Sequence, residues 1–166
     1  MELLIPGLIL VALMVYVSTR IKKSAASAYD VETIETEEFS ITKPEGFIIP
    51  TNGDGRFMFA AYSKEFGTGD ADSIRQVSAE LTIHKGKTLD AVCNESTSKL
   101  VSQQRLAGDS MILETETIEN GMVLETEKRL VEKKGDVFEL SVTAIPETRT
   151  TQQRNIDTLL SSFEVK

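Results

Sequence analysis

The chain has 166 residues, which is enough for one domain of ordinary size. Its 18 basic and 26 acidic residues give a net charge of −8, and because phosphate backbones repel an anionic protein, nucleic-acid binding is disfavoured. Cys93 is the only cysteine and His84 the only histidine, which excludes an internal disulfide framework and leaves too few ligands for a structural zinc site.

The first predicted element is an apolar segment at the start of the chain. Residues 3–17 carry no charge, and the basic residues that follow at once are Arg20, Lys22 and Lys23. The segment reaches the lower end of the length that spans a bilayer, roughly 17–25 residues. Basic residues after a span favour the cytoplasmic side. We therefore predict that residues 1–23 form a transmembrane anchor with a basic flank, and that the domain of this single-pass membrane protein is cytoplasmic.

Two other interpretations of this segment fit less well. A secretory signal peptide carries positive charge before its apolar run, whereas here Glu2 precedes the run and the cations follow it. A buried core helix would show a polar stripe, and residues 3–17 show none.

Residues 24–38 are small and polar, then acidic, which is typical of a linker, and a first strand is possible near 31–36. Residues 39–166 form the predicted domain. Its first strands follow from alternating apolar and polar residues between turn-forming glycines. They are expected at 39–44, 56–65 and 73–85.

The hydrophobic period then changes to that of a helix over residues 88–106. Thr88 is a suitable N-cap and Gly108 a suitable stop. The apolar residues that would share the buried face of this helix are Leu89, Val92, Cys93, Leu100 and Val101.

Three further strands are expected at 110–118, 122–133 and 137–145. Asn120-Gly121 is a strong signal for a two-residue hairpin turn, and Lys134-Gly135 indicates a second one. Pro146 opens a final helix, since proline is favoured in the first turn. The buried face of this helix is expected to carry Ile156, Leu159, Leu160 and Phe163. The element order predicts an α+β fold, with helices packed on an antiparallel sheet.

Three segments resemble the PsbP-like family, which includes the DcrB-like lipoproteins. They are FSITKPEGFII at 39–49, TLDAVCNESTSKL at 88–100 and NIDTLLSSFEV at 155–165. The resemblance covers about residues 31–166. It implies an α/β/α sandwich that is used mostly as a non-catalytic binding or assembly module.

The candidate functional residues are glutamates on both sides of Asn120-Gly121. A two-residue turn there places Glu116 opposite Glu125 and Glu114 opposite Glu127, with Arg129 diagonal to Glu114. Like charges directly opposite each other destabilise a sheet. The face is therefore either a solvated surface or a docking surface for a basic protein partner.

A small-ligand or divalent-cation site is the alternative. Its oxygen ligands would come from two glycine- and aspartate-rich loops, and the residues are Asn52, Asp54, Asp70 and Asp72. Neither loop matches the twelve-residue calcium loop, and such residues are ordinary in turns.

The sequence favours no catalytic site. Gly86-Lys87-Thr88 lacks the glycine that a phosphate-binding loop needs five positions before Gly86. Ser96 and Lys99 match the Ser-x-x-Lys pattern of penicillin-recognising enzymes without its companion motifs. A nucleophilic pair of Cys93 and His84 is disfavoured because Cys93 lies on a predicted buried face. We expect a membrane-anchored, non-catalytic module without a cofactor, which presents an acidic sheet surface to a protein partner.

Overall fold

The computed structural model describes residues 13–20, 27–50, 55–63, 65–66, 74–95, 98–106, 108–119 and 121–166. Its helices are α1 (13–20), α2 (Leu89–Glu95) and α3 (Pro146–Ser162). Its strands are β1 (Glu32–Glu35), β2 (Phe39–Lys43), β3 (Phe59–Tyr62), β4 (Glu65–Phe66), β5 (Ile74–Arg75), β6 (Val77–Lys85), β7 (Lys99–Leu106), β8 (Ser110–Glu119), β9 (Met122–Lys133), β10 (Asp136–Ala144) and β11 (Glu164–Val165).

Six strands form the main sheet in the order β3-β6-β10-β9-β8-β7, and all of its pairs are antiparallel. A second sheet has the order β1-β2-β11, and β4 pairs with β5. The hairpins β8–β9 and β9–β10 follow the two predicted turns. The predicted fold class, α+β with antiparallel sheets and packed helices, is confirmed.

The larger hydrophobic core lies between the main sheet and α3. Strands β6 and β10 bury every second side chain because one face of each is turned to this core. Helix α3 contributes Ile156, Leu159 and Leu160, and Phe163 follows its last turn. The buried face predicted for the final helix is therefore confirmed.

A smaller core lies on the opposite face of the main sheet, under α2. Its buried residues are Leu89, Val92, Met111, Leu113, Leu130 and Val137. Thr88 caps α2, since its Oγ1 accepts a hydrogen bond from the Ala91 N–H at 3.3 Å. In the part of the chain that the structure describes, α3 packs on β6 and β10 and reaches β9, which leaves the β8 and β7 half of that face uncovered.

Lys43 is a buried cation at the end of β2, with 1% of its surface exposed. Its ammonium donates hydrogen bonds to the carbonyl oxygens of Ala28 (3.0 Å), Asp30 (2.5 Å) and Phe47 (3.1 Å). Three acceptors satisfy the three N–H groups of an ammonium. Lys43 therefore joins the segment before β1 to the turn after β2.

The predicted helix over 88–106 is wrong from residue 98 onward, and α2 is described as far as Glu95. The chain continues from Lys99 as β7, and Leu100 and Val101, which were expected to be buried, are each 53% exposed. Ser96, Thr97 and Ser98 separate the two elements in sequence, and such residues favour turns over helix interiors because their side chains compete for backbone hydrogen bonds. Pairing with β8 then gives the β7 backbone its partners.

Two predicted strands are each divided in the structure. The strand expected at 56–65 corresponds to β3 and the start of β4, and the strand expected at 73–85 to β5 and β6. Gln76 lies between β5 and β6, and its carbonyl accepts a hydrogen bond from the Ile145 N–H at 3.1 Å. This bond continues the antiparallel register of β6 and β10 by one position, since Ala144 pairs with Val77.

The predicted single-pass membrane localisation is corrected. Among the residues that the structure describes, no helix is long and apolar enough to cross a membrane. The described part of the first helix, α1, covers residues 13–20 and ends at Arg20. Residues 1–12 of the expected anchor, and Lys22 and Lys23 of its flank, lie outside the described residues.

Candidate functional site

The candidate site is the acidic face, which we define as Glu114, Glu116, Glu125 and Glu127 on β8 and β9. The observed register pairs Glu114 with Glu127 and Glu116 with Glu125, as the turn predicted. On β10, Val142 pairs with Glu127 and Ala144 with Glu125, and both of these apolar residues face α3. The acidic face therefore lies on the α3 side of the sheet, at the border between β9, which α3 reaches, and β8, which α3 leaves uncovered.

Each carboxylate of the acidic face has a hydrogen-bond or ion-pair partner from another element. Arg149 of α3 lies 3.4 Å from Glu125 and 3.1 Å from Glu127. On β7, Lys99 lies 2.7 Å from Glu116, and the Ser102 hydroxyl donates to Glu114 at 2.9 Å. These contacts offset the repulsion that two opposed glutamate pairs would otherwise bring.

A hollow of about 230 Å³ opens at the centre of this surface. It is lined by Val101, Glu114, Thr115, Glu116, Glu125, Thr126 and Arg149. The side chains of Glu116 and Glu125 are 36% and 34% exposed, whereas that of Glu127 is 17% exposed. Glu116 and Glu125 are thus more accessible to an incoming cationic group than Glu127 is.

The electrostatics of the acidic face are uneven. Burial raises the pKa of Glu127 above its ordinary value of 4.5, Arg149 lowers it, and Glu114 raises it again, with a net upward shift. A raised carboxyl pKa means that the stabilising contribution of Glu127 is complete below pH 4.5 and is lost as the pH rises through the folded-state pKa. Arg149 is therefore the group that limits the cost of keeping Glu127 ionised.

Replacement of Arg149 by glutamine is expected to raise the pKa of Glu127 further, because the opposing cation is lost while burial and Glu114 remain. Carboxyl-carbon NMR titration of the variant measures this shift. The matched control is Arg154→Gln, which removes the same charge from an exposed position of α3. An unchanged Glu127 titration in Arg149→Gln would show that the ion pair does not set this pKa.

Arg129 lies on the same face of the sheet as the four glutamates, but its contacts are with α3 and Phe163. Its guanidinium Nη1 donates to the carbonyl oxygen of Leu160 in the last turn of α3, and its Cζ lies 6.0 Å from the Phe163 ring centroid. A cation is favourable at the C-terminus of a helix and over an aromatic face. The contacts observed for Arg129 thus join β9 to α3.

The alternative cation site falls outside the described residues, because Asn52, Asp54, Asp70 and Asp72 all lie in undescribed segments. Within the described ranges, no group of three or more His, Cys, Asp or Glu side chains is placed to hold a metal ion.

Cys93 and His84 have different partners. The Cys93 thiol lies 3.4 Å from the Met111 sulfur, and burial, followed by Asp90 and Glu139, raises the pKa of this thiol. The His84 Nε2 lies 2.9 Å from a Glu139 carboxylate oxygen. A raised thiol pKa reduces the thiolate, which is the reactive form.

The sequence patterns did not identify the residues that pair with the four glutamates of the acidic face. Arg149 falls within the predicted last helix, and Lys99 and Ser102 fall within the predicted helix over 88–106, part of which is β7 in the structure. Alternation within residues 99–106 is weak, so no period-two signal marks β7. The reach of Arg149 to β9 depends on how α3 lies across the sheet, which no local pattern encodes.

No family model and no curated protein matches the sequence. Among solved structures, cyanobacterial PsbP (CyanoP) from Synechocystis sp. PCC 6803 has a TM-score of 0.59 at 14% identity, over 83% of this chain and 94% of that chain. The Ran-binding protein Mog1p of Saccharomyces cerevisiae has 0.55 at 8%, over 82% and 96%. LpqN of Mycobacterium tuberculosis, described as involved in cell envelope biogenesis, has 0.52 at 10%, over 82% and 91%. The PsbP-like fold that the sequence resemblance implied is confirmed for this chain.

Proposed function

We propose that this chain is a non-catalytic protein-binding module that receives a basic segment of a partner on its acidic face. The observation that carries this proposal is a hollow lined by three of the four carboxylates, Glu114, Glu116 and Glu125, beside the part of the sheet that α3 leaves open. A solvated strand face needs no such hollow. Two of these carboxylates, Glu116 and Glu125, lie directly opposite each other and both line the hollow.

The fold supports a binding role. Mog1p, which shares the fold at 8% identity, is described as a Ran-binding protein. Function is carried by sites rather than by folds, so the likeness supports protein binding only in general terms. The choice of a basic partner depends on the acidic face alone.

The expected mechanism is electrostatic attraction followed by exchange of ion pairs. Arg149 and Lys99 already neutralise part of the acidic face, so a partner's lysine or arginine competes with them for the carboxylates. Exposed charges are screened beyond about 10 Å at 0.1 M salt. Binding should therefore weaken as the ionic strength rises, mainly through a slower association rate.

The proposal is tested with the double substitution Glu116→Gln/Glu125→Gln and a fluorescent peptide of alternating lysine and valine. Because each exposed ion pair is worth roughly 0.2–1 kcal/mol, we expect the variant to bind about five- to tenfold more weakly at low salt. Fluorescence anisotropy at two salt concentrations measures the change.

The matched control is Glu37→Gln/Glu38→Gln, which removes the same two charges from exposed positions before β2. This control should bind the peptide within twofold of the wild-type protein. Equal losses in both variants would mean that only net charge matters, and the acidic face would then not be the binding site.

A further inference from the structure

Strand β7 forms one edge of the main sheet. It has eight residues, seven of which are exposed, and β8 is its only neighbour among the described strands. The outer backbone groups of such an edge are available to pair with another strand.

The opposite edge of the sheet is different. Strand β3 has four residues, and its outer side is engaged by Ile48. The Ile48 N–H donates to the Tyr62 carbonyl and the Tyr62 N–H donates to the Ile48 carbonyl, each at 2.9 Å. The chain therefore covers part of one edge of its main sheet itself and leaves β7 uncovered within the described residues.

The composition of β7 permits pairing. Its sequence, KLVSQQRL, contains no proline and no acidic residue. Natural edges are protected by prolines, bulges or charged side chains, and the two charges of β7 have partners within the chain: Lys99 pairs with Glu116 at 2.7 Å and Arg105 with Asp90 at 3.9 Å. The register of β7 with β8 shifts between Leu100 and Ser102, which is the mark of a bulge, but it is regular from Ser102 to Leu106. This regular stretch is the accessible part of the edge.

The same stretch borders the acidic face. Ser102 pairs with Glu114 and Gln104 with Ile112, so a short neutral side chain, Ser102, lies between the edge and Glu114. Neighbouring strands are about 4.8 Å apart, and a strand added outside β7 would lie about 10 Å from β8. Long basic side chains on alternate positions of that strand would extend over Ser102 towards Glu114.

We propose that a basic, extended segment of a protein partner adds a strand to the β7 edge and directs alternate lysine or arginine side chains onto the acidic face. Backbone hydrogen bonds supply affinity in this mode of recognition, and alternate side chains supply specificity. The inference that the segment is basic rests on the proposed function. The inference that β7 accepts a further strand rests only on its edge position among the described strands. A second copy of this chain is a poorer occupant, because two chains of net charge −8 repel each other.

The first test uses the full-length, isotopically labelled protein and the alternating lysine–valine peptide. Within residues 102–106, the outward-pointing amides are identified as those that exchange fastest in the free protein. We expect the peptide to slow hydrogen exchange at these amides at least tenfold. A peptide with the same composition in two blocks, five lysines and then five valines, should give much weaker protection because it cannot place lysines on one face. Unchanged exchange along β7 with the alternating peptide would overturn the proposal.

A proline variant gives the second test. Amides alternate in direction along an edge strand, so one of Gln103 and Gln104 has its N–H outward, and proline is tolerated there. The substitution is made at whichever of these two residues has the faster-exchanging amide, as Gln103→Pro or Gln104→Pro. The chosen variant should bind the alternating peptide at least tenfold more weakly. Unfolding midpoints and backbone spectra of the free variant show whether the sheet is intact.

The outcomes separate the two proposals. If Glu116→Gln/Glu125→Gln weakens binding but the proline variant does not, the acidic face is the site and strand addition is wrong. If the proline variant weakens binding but the glutamine pair does not, the occupant is not selected by charge. Dimers in sedimentation equilibrium that the proline substitution abolishes would show that a second copy occupies the edge.

Discussion

Substitution of Lys43 by methionine is expected to lower the free energy of unfolding by about 3 kcal/mol, with the unfolding midpoint roughly 10 °C lower. Methionine fills much of the volume of the lysine side chain but donates no hydrogen bond. The carbonyl groups of Ala28, Asp30 and Phe47 would then lose a charged donor in a buried setting. The loss of solvation of these acceptors exceeds what is regained by removing a buried charge. Chemical denaturation followed by circular dichroism measures the change.

The matched control is Lys87→Met. Lys87 pairs with Glu95 at 2.5 Å on the surface, and exposed ion pairs contribute about 0–1 kcal/mol. This variant should unfold within about 1 kcal/mol of the wild-type protein. If Lys43→Met were as stable as Lys87→Met, the three carbonyl groups would have to be satisfied in another way, and Lys43 would not hold the two segments together.

Glu139→Ala is expected to cost about 2–3 kcal/mol at neutral pH, because it leaves the ammonium of Lys128 largely buried without its counter-charge. Glu139 accepts hydrogen bonds from Lys128 at 2.7 Å and from Ser141 at 2.9 Å, and it contacts His84 on its other oxygen. The double variant Glu139→Ala/Lys128→Met removes both charges and should recover part of the loss. Equal stability of the single and double variants would show that the buried ammonium carries no penalty.

The pH dependence gives an independent check on this cluster. Burial raises the pKa of Glu139, but the charge of Lys128 and the hydrogen bonds from Lys128, Ser141 and His84 lower it more, so the net shift is below the ordinary value of 4.5. A lowered carboxyl pKa contributes stability that is complete above pH 4.5 and is lost as the pH falls through the folded-state pKa. The stability difference between wild type and Glu139→Gln should therefore shrink below pH 4.5. A difference that is constant with pH would contradict the ionised state of Glu139.

The register of the acidic face could be predicted from the sequence because one turn determines it. Asn120-Gly121 favours a two-residue connection, and from there the period of two carries the pairing to Glu114 and Glu127. The last helix was predictable for a similar reason, since Pro146 marks its start and the apolar spacing marks its face. Both signals are local.

Lys43 shows what the alternation of buried and exposed residues can predict about a side chain and what it cannot. It follows Phe39 and Ile41 at a period of two, so its burial could be predicted from alternation. Its acceptors could not, because the carbonyl groups of residues 28–30 and 47 meet only when the chain before β1 runs beside the turn after β2. Residue type points the other way from alternation at this position, because a lysine is seldom buried.

Strand β7 could not be predicted because its sequence is compatible with two structures. The apolar residues Leu89, Val92, Leu100 and Val101 fit one helical face, and local propensity does not separate a helix from a strand over residues 99–106. Pairing with β8 decides between them, and that pairing depends on residues 110–116, which lie beyond the next turn. Arg149 is a similar case, since its contacts with β9 arise from the packing of α3.

The three hydrogen bonds of the Lys43 ammonium also affect how the domain resists a pulling force on the chain before β1. Tension applied to the backbone before Ala28 is transmitted to the ammonium of Lys43 at the end of β2 before it reaches the ladder between β1 and β2. Resistance at this end of the fold therefore depends on the Lys43 ammonium together with the hydrogen bond from the Gly46 N–H to the Tyr29 carbonyl at 2.8 Å. Once these hydrogen bonds break, β1 can separate from β2 one residue pair at a time, beginning with Glu32 and Lys43.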